Sequence, residues 1–297
     1  MNVDPLHFPR ADLAAQMVFI FEHRLQPALT LFAPEQKGKT TFLQQDFIPL
    51  ARQYGFLVAV VDLLAYPDSP ERAIATAIQE TVRGAQSQSP HLVLVNGLDL
   101  LVRRVRAHVG AYRGQASLAS GETRDIKVLL EQFNQAAMGR AVLIIEAAEH
   151  LATRGVFENF TAKLRSLLQA PDTGVRVVFT GASQRGQAEL FRRHDAPFYQ
   201  YGFGMDFPNF GKEFASQFGD RFKEATGKDW DVDLAHRLFV RHGEMPGFLR
   251  ALYEVSLSKG LGVKEAAEVV QSTALPNPQT TLCFRLKADG SNASSKT

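Results

Sequence analysis

The stretch "LFAPEQKGKTTFL", Leu31 to Leu43, decides how the rest of the sequence is read. Gly38-Lys39-Thr40 supply the end of the pattern G-x-x-x-x-G-K-[ST], while Ala33 stands where the first glycine is expected. A loop of this kind works because consecutive backbone N–H groups and the start of the next helix point into one concavity that fits a phosphate chain. The lysine adds a cation that reaches the outer phosphates, and the threonine hydroxyl holds Mg²⁺. The flanks suit that reading. "ALTLFA", Ala28 to Ala33, is short and apolar, as a buried strand is, and Phe42, Leu43, Phe47 and Leu50 keep a helical period until Pro49 ends or kinks it. Gly38 falls where the backbone comes closest to phosphate, whereas Ala33 sits at the strand exit, where a methyl group is accommodated. The run Ala33, Pro34, Glu35, Gln36, Lys37, Gly38, Lys39, Thr40 and Thr41 is therefore the candidate phosphate cradle.

Working outward, apolar runs alternate with amphipathic helices. "FLVAVVDL" (Phe56 to Leu63), "AVLIIEAAEHL" (Ala141 to Leu151) and "VRVVFTGAS" (Val175 to Ser183) read as further strands, of the continuous apolar kind that is covered on both faces. Helices are expected over Leu13–Leu25, from Ser69 to about Arg83, over Asp125–Met138 and over Phe157–Leu168. Strands alternating with helices of this length imply βαβ units and a mostly parallel sheet. His91 to Gly121 admits either a strand then a helix, or one helix interrupted at Gly97. From about Pro208 the pattern turns all-helical, with segments at Lys212–Thr226, Asp231–His242, Pro246–Lys259 and Val263–Ser272. The expected organisation is an α/β domain over 1–207, a helical lid over 208–275 and a disordered polar tail over 276–297.

The length, 297 residues with 45% apolar, suffices for that arrangement. Thirty-three basic against thirty-one acidic residues give a net charge of +2, which exerts no strong pull toward nucleic acid or a membrane surface. A single cysteine, Cys283, excludes an internal disulfide and any multi-cysteine metal site. With no apolar stretch near the ~20 residues of a spanning helix, the expectation is a soluble, cytoplasmic protein without membrane insertion. The eight histidines show no metal-like spacing, and there is no G-x-S-x-G nucleophile.

The second chemical signal is "VLIIEAAEHL", Val142 to Leu151. A buried strand ending in a carboxylate holds the water shell of Mg²⁺ opposite the phosphates, and a second carboxylate orients the attacking water. Glu146 takes the first place, Ala147 takes the second, and Glu149 on the following turn is the substitute on offer.

These motifs, with "VVFTGASQ" and "HGEMPGFLRALYE", occur in the order found in AAA+-related P-loop ATPases. They resemble most the STAND signal-transduction clade and its archaeal-type ATPase relatives, and "FPRADL" (Phe8 to Leu13) is similar to the arginine box that precedes the first strand there. The resemblance implies a P-loop nucleoside triphosphatase fold with a helical lid, binding ATP and Mg²⁺. It implies that Lys39 and Thr40 hold phosphate and metal, that Glu146 stands for the magnesium-site aspartate, and that Thr180, or next Ser183, senses the γ-phosphate. It also brings Arg10, Pro246 and Arg250 toward the nucleotide. Ala33, Glu146 and Ala147 depart from the family pattern at the chemistry, so slow or assembly-dependent hydrolysis is expected; efficient transfer in an assembly also needs an arginine in trans, for which Arg185, Arg192 and Arg193 are available, though each singly reads better as a solvated surface arginine. The implied function is a nucleotide-dependent switch with possible self-assembly. Two alternatives stand beside it: a DNA-associated adaptor ATPase that forms filaments or rings, contacting duplex through Arg103, Arg104, Arg106 and Arg113, and a pseudo-ATPase scaffold without nucleotide.

Overall fold

A computed structural model describes residues 4–86, 125–170 and 173–272. The chain divides into two compact units, Met1–Pro208 and Asn209–Thr297. The readings of His91 to Gly121, of Arg103, Arg104, Arg106 and Arg113, and of the tail from Pro276 lie outside the described residues.

In the first unit, the described residues form one sheet from β1 (Ala28–Phe32), β2 (Leu57–Asp62), β3 (Ala141–Glu146), β4 (Arg176–Gly181) and β5 (Phe203–Gly204). The order is β2-β3-β4-β1-β5, and every neighbouring pair is parallel. β3 and β4 are buried at every position, which is why their valine and isoleucine runs show no polar alternation. Alternate residues face two helical layers. On one side Leu29, Leu31, Val142, Ile144 and Val178 pack with α1 (Ala11–Glu22), α2 (Lys39–Phe42) and α3 (Ile48–Gln53). On the other, Ala59, Leu143, Ile145, Val177 and Phe179 pack with α4 (Pro70–Gln86), α5 (Ile126–Ala136) and α6 (Glu158–Gln169). A short α7 (Gln184–Gln187) follows β4. The parallel order brings the C-terminal ends of β1, β3 and β4 to one edge, where open parallel sheets bind ligands.

Three expectations are corrected. Pro49 does not end the helix after the loop: a π-helical turn, Leu43–Phe47, joins α2 to α3 and leaves Pro49 in the first turn of α3. The third strand stops at Glu146, because Ala147 is left-handed (φ 55°, ψ 42°) and opens a 3₁₀ turn over Ala148–Ala152. The sequence reads Phe203, Phe207 and Phe210 most simply as core, but Phe203 is 47% exposed in β5, a two-residue edge strand too short to leave a pattern.

The second unit is helical in its described residues: α8 (Lys212–Thr226), α9 (Val232–Arg241), α10 (Pro246–Lys259) and α11 (Val263–Ser272). Its core is aromatic, built on Phe214, Phe218, Phe222, Trp230, Phe239 and Tyr253, each such ring burying ~1.5–3 kcal/mol of hydrophobic stabilisation. Trp230 Nε1 donates to Ser256 Oγ at 3.2 Å, which satisfies the buried indole. Among the described residues, no helix is long and apolar enough to cross a membrane.

Candidate functional site

The loop between β1 and α2 explains its own sequence. Its left-handed residues are Gln36 (φ 62°) and Gly38 (φ 88°). Ala33 is not among the positive-φ residues, and its N–H donates to Gly181 O at 3.2 Å, continuing the β1–β4 ladder. Alanine therefore suits the position: the backbone there is not left-handed, and nothing in it calls for glycine. Lys39 Nζ donates to the carbonyls of Ala33 and Pro34, the latter at 2.8 Å, so the lysine reaches back over the loop that carries it. Burial lowers the Lys39 amine below the ordinary lysine range, and the nearby carboxylates Glu149, Glu35 and Glu146 act against that shift. The cation thus sits among three acids at the mouth of the loop, and Thr40 follows it, half-buried in the first turn of α2.

Glu146 ends β3, is 5% exposed, and pairs in register with Asp62 at the end of β2. Asp62 is a strand-end carboxylate that the sequence reading did not single out, although "FLVAVVD" ends as β3 does; its Oδ1 accepts from the N–H of Leu64 at 3.1 Å.

The left-handed Ala147 turns the chain so that Glu149 reaches across to β4. Glu149 Oε1 accepts from the N–H groups of Ala182 (2.8 Å) and Ser183 (3.3 Å), while Oε2 is buried with no hydrogen-bond partner among the described residues. Two glycines make the space. A Cβ on Gly181 would lie 2.1 Å from Glu149 Oε2, and one on Gly186 would lie 2.3 Å from Glu149 Cβ. The carboxylate is thus held by two backbone amides through Oε1 and packed closely against Gly181 through Oε2. Thr180 is 3% exposed beside Leu31 in the β1–β4 register, on the face of β4 that carries Val178 and so toward the α2 layer. Ser183 caps α7 by accepting from the N–H of Gly186 at 3.0 Å. Glu146, Glu149, Lys39 and Thr180 therefore share the strand-end edge.

Arg10 lies against the loop. Its guanidinium donates to Lys37 O (3.1 Å) and Pro208 O (3.2 Å) and covers the Phe207 ring, 4.1 Å from its centroid. Its N–H donates to Asp46 Oδ2 at 3.0 Å, and His7 Nε2 bonds Asp46 Oδ1 at 2.6 Å. Burial pushes the Arg10 guanidinium down to about 10, with Asp46 opposing. Pro246 and Arg250 belong to the second unit, where Pro246 opens α10 and Arg250 Nε bonds Glu254 Oε1 at 3.1 Å. Of the other arginines, Arg185 pairs with Glu189 (2.8 Å) and Arg193 with Asp195 (2.7 Å) on the surface, and Arg192 is exposed. Among the described residues, no group of three or more His, Cys, Asp or Glu side chains is placed to hold a metal ion.

Solved structures resemble this architecture. A Walker-type ATPase of Pyrococcus abyssi aligns with 96% of the chain and 77% of its own length, with a TM-score of 0.60 at 14% identity. The chain has the P-loop nucleoside triphosphatase fold. The ADP form of the Aeropyrum pernix ORC2 protein shares it, with a TM-score of 0.52 at 13% identity over 99% of this chain and 77% of that one. So does Cdc6p of Pyrobaculum aerophilum, with a TM-score of 0.52 at 13% identity over 92% and 65%. No protein-family model matches the chain, and no curated protein matches its sequence. Within this fold, the β1–α2 loop and the ends of β3 and β4 are the parts that the sequence motifs single out.

Proposed function

We propose that the chain binds ATP with Mg²⁺ at Ala33 to Thr41 and acts as a nucleotide-dependent switch that hydrolyses slowly, or faster on self-assembly. The observation that carries this reading is Lys39: a half-buried cation at the start of a helical segment, folded over the carbonyls of Ala33 and Pro34 with Glu149, Glu35 and Glu146 around it. Phosphate oxygens would take the place of those two carbonyls. Thr40 and Glu146 would hold Mg²⁺, which takes one or two protein oxygens and completes its shell with phosphates and water. When bound, the ion supplies charge neutralisation on the phosphates.

Glu149 is the carboxylate for the attacking water in this reading, through Oε2, while its Oε1 stays with the amides of Ala182 and Ser183. A carboxylate tied to backbone on one side orients water less freely than one on an open strand end, and this supports slow turnover. Thr180 would sense the γ-phosphate through the same strand, and the second unit, with Pro246 and Arg250, would answer to nucleotide state. The ADP form of the Aeropyrum ORC2 protein supports nucleotide binding on this fold.

Thermal stability measured with and without ATP and Mg²⁺ tests the reading. Binding at a hundred times Kd stabilises by ~2.7 kcal/mol, seen as a rise in Tm, and Lys39→Ala abolishes the rise. No shift with any nucleoside triphosphate refutes it and leaves the pseudo-ATPase scaffold. Duplex DNA binding lost on neutralising Arg103, Arg104 and Arg106 would select the adaptor reading instead.

A further inference from the structure

The end of the first unit opposite the candidate site carries a second surface. There the turns preceding β1, β2, β3 and β4 converge. Arg176 Nε donates to Phe21 O at 2.9 Å and its Nη1 to Gly139 O at 3.1 Å; Arg140 pairs with Glu22; and a Cβ on Gly55 would lie 3.7 Å from Arg140 Nε. The apolar side chains on these turns point outward: Leu25 is 56% exposed, Tyr54 52% and Met138 89%. Phe19, also exposed, lies tilted against His23 at the margin, with ring centroids 4.3 Å apart. Among the described residues of the first unit, four of the nine exposed large apolar side chains belong to this one end.

The charge is one-sided. Arg24, Arg140 and Arg176 face one another with Glu22 as the acid among them in the described residues; burial and then repulsion from Arg24 and Arg140 hold Arg176 below the ordinary arginine range. Arg140 Nε is buried without an acceptor. Like charges gathered at one end cost stability, and a surface that keeps them fits an anionic partner.

We infer that this end is a docking surface for an acidic segment of a partner protein in which apolar residues alternate with carboxylates. Carboxylates meet Arg24 and Arg140, and the apolar residues cover Leu25, Tyr54 and Met138. A lipid surface fits less well, because the apolar side chains come from three separate turns and no helix presents a continuous apolar face, as interfacial anchors do. Nucleic acid fits less well too, since two of the three exposed contacts are aliphatic. The surface stands apart from the phosphate loop, so the inference does not depend on nucleotide binding.

The probe is a fluorescein-labelled twelve-residue peptide of alternating Glu and Leu, followed by anisotropy at low salt on the full chain. Arg24 (φ 52°) and Met138 (φ 51°) both have left-handed backbone, so the variants are Arg24→Asn and Met138→Asn, which that backbone tolerates, together with Leu25→Ser. Saturable binding is expected, weakened at least about tenfold by Arg24→Asn and about fivefold by Leu25→Ser with Met138→Asn, with the melting temperature of each variant close to the parent. A control peptide with Lys for Glu does not bind, and one with Ser for Leu binds at least about fivefold more weakly. The inference is overturned if the acidic peptide fails to bind, if the variants bind it equally, or if phosphatidylserine vesicles or duplex DNA bind as tightly and lose affinity in the same variants.

Discussion

Alanine at Gly181 is the sharpest probe of how Glu149 is held. The new Cβ would lie 2.1 Å from Glu149 Oε2, 2.3 Å from Phe32 Cε1 and 2.8 Å from Phe32 Cδ1, distances no packed methyl group keeps. Phe32 is braced edge-on by Phe191, with centroids 5.9 Å apart, so the carboxylate is the softer neighbour and must leave. Leaving costs it the amides of Ala182 and Ser183, at about 1.5–3 kcal/mol for each hydrogen bond to a charged acceptor, before any overpacking strain of ~1–3 kcal/mol. Partial relaxation returns some of this, and a net loss of about 3–4 kcal/mol is expected from urea unfolding followed by far-UV circular dichroism. The decisive comparison is a double-mutant cycle. In Glu149→Ala the amides have already lost their acceptor, so Gly181→Ala there costs only the Phe32 contact, and a coupling energy of about 1.5–3 kcal/mol follows. Additive costs, within about 0.5 kcal/mol, would show that Glu149 and Gly181 do not share a site and would remove the basis for placing Glu149 in the chemistry.

Other expectations concern separate parts of the chain. Arg10→Ala removes donors to Lys37 O and Pro208 O and the cover over Phe207, so it should lower stability by about 2–4 kcal/mol in urea unfolding and weaken ATP binding in isothermal titration calorimetry. Gln36→Gly should raise stability by up to about 1 kcal/mol, because Gln36 occupies a left-handed backbone that glycine adopts without strain; a loss would mean its side chain contributes to the loop. Burial pushes the Tyr201 hydroxyl up to about 12, Arg165 opposing, and the hydroxyl donates to Leu168 O at 3.1 Å. Since the folded value is raised, this stability is present below pH ~10, where the unfolded tyrosine is still protonated, and is lost as pH rises through ~10–12, by roughly 2–3 kcal/mol. Tyr201→Phe should flatten that alkaline loss relative to the parent, and an unchanged profile would reject the assignment. Ser256→Ala strands the indole N–H of Trp230, the chain's single tryptophan, and should cost about 1–3 kcal/mol, read directly in its fluorescence unfolding curve.

The sequence spoke clearly where burial on two faces forced long apolar runs, which is why β1 to β4 and the loop Ala33 to Thr41 were legible. It spoke less clearly where one residue sets a direction. Nothing in "EAAEHL" announces that Ala147 turns left-handed and sends Glu149 across to β4, because alanine has no special preference for that conformation. The glycines that admit Glu149 read only as turn residues. Pro49 pointed to an irregularity in this helix but not to its form, a π turn in the residues that precede the proline. Arg10 was drawn to the nucleotide by its place in a box, and its partners among the described contacts include a loop carbonyl and a phenylalanine ring. β5 pairs through only two residues, too few for any period to register.

The strand order has a consequence for the chain's birth. β1 is made first among the strands, yet its neighbours are β4 and β5: Ala28 meets Val177, and Leu29 meets Phe203. At the pace of translation, ~5–20 residues per second, β1 waits roughly ten to thirty seconds with both edges open, while β2 and β3 can zip together without it. An apolar strand in that condition is a template for misplaced pairing. Damage to β4 should thus appear first as aggregation of nascent chains, ahead of any fault in the mature protein, and the loop hung between β1 and α2 gains its final shape only when the late strands arrive.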